Sequence, residues 1–143
     1  MKLELKNVLL LSLLTTLVAL VVSFAVLPEN SGYAGLFFIA ISPLFFIIFI
    51  IWTLIIAPLT EKKTGFIKLL TIFLPSVILQ YLTIIIVMAV LSSDDRYYNF
   101  STFFTDSVNL VSDTPILLFT LSVATIYTVL LSFTLNKKNN NAS

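Results

Sequence analysis

No histidine and no cysteine stands anywhere in these 143 residues, so the side chains left to do chemistry are hydroxyls, one mid-span amide, a few acids and the lysines. Their absence removes thiol nucleophiles, disulfides, thiolate-bound metals, the usual zinc and haem ligation, and imidazole acid–base catalysis. A serine or tyrosine nucleophile would have no histidine to take its proton and no buried carboxylate beside it. The glycines, Gly32, Gly35 and Gly65, read as turn residues. There is no phosphate-cradling glycine loop, no G-x-S-x-G and no H-E-x-x-H. Asp94 and Asp95 are adjacent in a polar loop, where paired acids are usually solvated rather than set around a metal. The expectation is a protein that is not an enzyme, with no cofactor and no metal site.

The hydroxyls follow a pattern. Ser12, Thr15, Thr16, Ala19 and Ser23 fall at i, +3, +4, +7 and +11, one stripe of a 3.6-residue helix. Thr120, Ala124, Thr128 and Ser132 repeat every four residues, with Thr125 alongside. Ser76, Gln80 and Thr83 share a third face, while residues 36–58 show no such stripe. Two chemistries fit. Small residues let helix backbones approach, and hydroxyls or an amide bridge between helices at about 0.6–2 kcal/mol each. Alternatively the stripes line a path for a solute. Helix packing is the commoner use, so these residues are helix-packing candidates. Gln80 needs a partner in either case, and Thr16 and Thr125 are the candidates.

The elements that must position these residues follow from composition. The chain is 59% hydrophobic and only 10% charged, against about 25% charged in a soluble domain. Such a chain has too little polar surface to face water, so its solvent is lipid. Four runs approach the roughly 20 apolar residues that cross a bilayer: 8–27, 36–58, 67–91 and 114–135. The stretch 28–35 reads as a Pro/Gly turn, 59–66 as a charged turn, and 136–143 as a polar, disordered tail. Lys2 and Lys6 before the first run resemble a signal-peptide start, but the run exceeds the roughly 7–15 residues of such a segment and no small-residue cleavage site follows. It reads as a retained helix. Pro43 and Pro75 lie inside the second and third runs and predict kinks. In "SDTP", Asp113 or Thr114 caps and Pro115 opens the fourth.

Orientation comes from the basic residues. Lys2, Lys6, Lys62, Lys63, Lys68, Lys137 and Lys138 fall on one side, and only Arg96 on the other. Glu29, Asp94, Asp95, Asp106 and Asp113 sit with Arg96. Both termini are therefore expected in the cytoplasm, most simply of a bacterial inner membrane, with 92–113 outside. Apart from Lys68 at a boundary, no span carries a charge. A central charge costs roughly 2.5–3.5 kcal/mol and is kept for function, so its absence counts against proton-coupled transport, pumping and voltage sensing. The net charge of +1 gives no field to attract nucleic acid.

The long polar loop is not uniform. Phe100, Phe103, Phe104, Val108 and Val111 fall at i, +3, +4, +8 and +11, with Thr102, Thr105, Asp106, Asn109 and Asp113 opposite. This predicts an amphipathic helix of about three turns, lying on the outer membrane surface or capping the bundle, with Tyr97 and Tyr98 at headgroup level. Its polar face is acidic, which anionic lipid would repel. Tyr97, Tyr98, Phe100, Phe103, Phe104 and Asp106 are accordingly the partner-binding candidates. Asn99-Phe100-Ser101 fits a glycosylation acceptor and has meaning only in a eukaryotic host.

The sequence thus predicts an all-α integral membrane protein, a single domain of four transmembrane helices with a short amphipathic helix in the loop between the third and fourth. Size, span number and an acidic outer loop suit a protein of the interaction class: an immunity-type protector against a membrane-active toxin, or an accessory subunit of a membrane complex. The alternative is a small channel or carrier subunit for an uncharged solute. The expected partners are the lipid bilayer and a membrane protein or toxin, not nucleic acid; oligomeric state is left open.

Overall fold

A computed structural model describes residues 3–26, 32–60, 63–92 and 100–140. They form five helices: α1 (Leu5–Val26), α2 (Gly32–Thr60), α3 (Gly65–Ser92), α4 (Phe100–Ser112) and α5 (Thr114–Asn140). Four of them, all but α4, contain a stretch long and apolar enough to cross a membrane. The protein is an all-α, multi-pass membrane protein. Helix is the form a chain this apolar must take in lipid, because each backbone donor and acceptor is then met within its own segment.

Sequence and structure differ at the ends of the elements. Helix α2 begins at Gly32, so Gly32 and Gly35 are helical rather than turn residues. Among the described residues only Gly65 has a positive φ, 58°, where α3 starts. The expected polar tail is instead helical as far as Asn140. Water ends the need for apolar side chains but not the backbone ladder, and two lysines near the end suit the negative pole of the helix. Pro43, Pro58 and Pro75 all stand inside continuous helices. Asp113 is the cap of α5, its carbonyl accepting from Leu117 N at 2.9 Å. That makes Thr114 the first helical residue and Pro115 the second.

Each of the hairpins α1–α2 and α3–α5 packs closely, and α1 also lies along α5. Contacts of α2 with α3 and with α5 are fewer, and α1 and α3 do not touch among the described residues. The four spans thus form a ring with α1 and α3 on one diagonal and α2 and α5 on the other. Lys68 near the start of α3 bonds Asn136 near the end of α5. This fixes one end of the bundle, here the lysine end; α4 is at the other. The core runs through Leu11, Phe45, Phe49, Ile72, Val123 and Leu131, all nearly inaccessible. Leucines and isoleucines on the outer faces, such as Leu17, Leu54, Ile78 and Leu118, are exposed to what would be lipid.

Candidate functional site

The stripes are buried where a seam requires it. On α1, Ser12, Thr15, Thr16, Ala19 and Ser23 are all buried. On α5, Thr120, Ala124 and Thr128 are buried, as are Ser76, Gln80 and Thr83 on α3. Thr125 is exposed, on an apolar groove between α3 and α5 with Phe66, Phe73 and Val129.

Most of these hydroxyls do not bridge helices, however. Thr15 donates to Leu11 O, Thr16 to Ser12 O, Ser76 to Ile72 O, Thr83 to Leu79 O and Thr128 to Ala124 O, all one turn back on the same helix. Ser23 and Thr120 reach carbonyls three residues back. The seams are therefore built mainly by small size, with most of the hydroxyls satisfied at home.

One buried bond between spans does cross the centre. Thr53 on α2 and Tyr127 on α5 place their hydroxyl oxygens 2.9 Å apart. The Tyr127 ring lies 5.2 Å from the Phe49 ring, which lies 6.3 Å from Phe45. A longer contact, 3.4 Å, runs from Trp52 Nε1 to the Ser76 hydroxyl. Sequence reasoning missed this group, having found α2 featureless. Phe45, Phe49, Thr53, Ala57 and Thr60 in fact share a buried face. The available signal was Tyr127, a polar tip at mid-span that needs a partner.

Gln80 is only 1% exposed, and neither its amide nitrogen nor its oxygen has a hydrogen-bond partner. Both expected partners fail. Thr16 is on α1, which has no close backbone approach to α3 among the described residues, and Thr125 is exposed and bonded to Leu121 O. Ser12 Oγ is also buried without a partner.

The amphipathic helix forms as the periodicity requires, and it is the most strongly two-faced of the five. It rests lightly on α3 and α5, with Tyr81 O–H reaching Val111 O at 3.5 Å. Its apolar side is not folded onto the bundle. Phe104 is 62% exposed and Val108 and Val111 are each 49% exposed, while Phe103 is half-buried. Of the remaining candidates, Phe100 and Asp106 belong to α4, but their side chains lie outside the described residues, as do Tyr97, Tyr98, Asp94 and Asp95.

No protein-family model, curated protein or solved structure matches this chain.

Proposed function

We propose that this multi-pass protein belongs to the interaction class and has no catalytic activity. In this reading it is an immunity-type protector against a membrane-active toxin, or an accessory subunit of a membrane complex. It sits in a bacterial inner membrane with its lysine end in the cytoplasm and α4 outside. The observation that carries the reading is the uncovered apolar side of α4, with Phe104 62% exposed at the end of an otherwise closely packed bundle. An acidic polar face beside exposed aromatics suits a protein partner better than anionic lipid. Spans that carry no charge apart from Lys68 near a boundary, with most hydroxyls bonded to their own helices, argue against a transport path.

The test is rescue of a deletion phenotype, toxin sensitivity or loss of a complex, at matched membrane abundance. The Phe103→Ser/Phe104→Ser double variant should insert and fail to rescue, and Asp106→Asn should rescue in part. Full rescue by the double variant would remove α4 as the working surface. The second reading, a channel or carrier subunit for an uncharged solute, draws on Gln80, whose buried amide offers unmet donors and an unmet acceptor. Solute flux into vesicles containing the purified protein, lost on Gln80→Met, would favour it.

A further inference from the structure

We propose that the cavity between the start of α3 and the end of α5 is a phosphate-binding site, for the headgroup phosphodiester of an anionic lipid or for free phosphate. The hollow is half open, with a volume of about 310 Å³, and is lined by Lys63, Thr64, Gly65, Lys68, Leu69, Ser132 and Asn136. That is roughly ten times the ~30 Å³ share of one water in the liquid, enough for a phosphate group and part of what it is attached to.

The wall offers donors and positive charge. Lys68 is 9% exposed, and its ammonium donates to Asn136 Oδ1 at 2.8 Å. An ammonium carries three donors, and among the described residues this one meets a neutral amide but no carboxylate. Lys63 is exposed, and its Nζ donates to the Thr71 hydroxyl at 3.1 Å. Among the described residues neither lysine forms an ion pair. A buried cation without a counter-charge is costly unless something supplies one. Ser132 Oγ is buried and has no partner. Among the described lining residues the only side-chain carbonyl, that of Asn136, is already taken by Lys68.

The backbone adds to this. Helix α3 starts at the cavity, so its first N–H groups lack intrahelical acceptors and carry the positive pole of a long helix. Gly65 enters that helix at φ 58°, and nothing lies within 4 Å of where its Cβ would stand. Snorkelling explains one lysine stem lying along the bundle. It does not explain a second lysine, an orphan hydroxyl and a helix start around one hollow. The lysine end is also where a bilayer presents its headgroup phosphates.

The experiment uses the full chain, delipidated in a non-ionic detergent. One arm titrates inorganic phosphate against chloride at equal ionic strength and follows thermal unfolding. The other adds phosphatidylglycerol, with diacylglycerol as the phosphate-free control, and reads retained lipid by native mass spectrometry. Lys68→Gln should weaken binding about fivefold, the effect of one lysine near a membrane surface. Lys6→Gln, an exposed lysine on α1, should leave it unchanged. Response to inorganic phosphate assigns the free ion, and response to phosphatidylglycerol alone assigns the lipid. If Lys68→Gln does not insert, the same comparison is read on Lys63→Gln/Ser132→Ala. Equal responses from wild type and variants, or no response in either arm, overturn the site.

Discussion

Thr15, Thr16, Thr83, Thr128 and Ser76 each donate to the carbonyl one turn back, at 2.6–2.8 Å. That acceptor is always within reach on a helix, whereas one on a neighbouring helix depends on rotation and depth. The hydroxyls therefore cost little to bury and leave their small volume as the useful property. Gln80 is the opposite case. Its amide is too long and too polar to be satisfied on its own turn, and it finds nothing else. An unmet buried polar group costs about 1–3 kcal/mol, so Gln80→Met, similar in length and flexible, should stabilise the bundle by an amount of that order in reversible detergent unfolding. A loss of stability would mean that Gln80 has a partner. On α1, α3 and α5 most of the buried polar residues were legible from spacing, whereas Thr53 and Thr60 on α2 were not. The partner of Gln80 and the Thr53–Tyr127 bond were not, because periodicity gives a helix its faces without saying which helix each face meets.

Among the elements, all four spans and the amphipathic helix could be read from the chain. Expected limits of 67–91 for the third span compare with Gly65–Ser92 for α3, and the periodic stretch from Phe100 to Val111 with Phe100–Ser112 for α4. The ends drifted furthest where polar residues continue the helix into water, as in α5 to Asn140. Seam positions on α1 should behave differently from lipid-facing ones. Ala19 is completely buried between helices, while Val21 is 68% exposed. Ala19→Leu should overpack the contact and cost about 1–3 kcal/mol, and Val21→Leu should change little. Equal effects of the two in the same unfolding assay would mean that the small-residue stripe is not a seam. Helix α4 was expected either to cap the bundle or to lie at the surface. Its exposed Phe104, Val108 and Val111 place its apolar side away from the bundle.

At the scale of the whole molecule, the two ends differ in kind. One gathers lysines around a hollow between α3 and α5; the other carries α4 with an uncovered apolar side. The bundle between them is tied by Leu, Phe and small residues and by the Thr53–Tyr127 bond. The proposed function requires that α4 face outward and the lysine end face the cytoplasm, as the distribution of basic residues implies. Cysteine accessibility measures this directly, since the chain has no cysteine of its own. Asn109 and Lys63 are both exposed, one on α4 and one beside the hollow. In intact cells a membrane-impermeant thiol reagent should label Asn109→Cys and spare Lys63→Cys until the membrane is opened; labelling of Lys63→Cys with protection of Asn109→Cys would contradict the orientation and the function that rests on it.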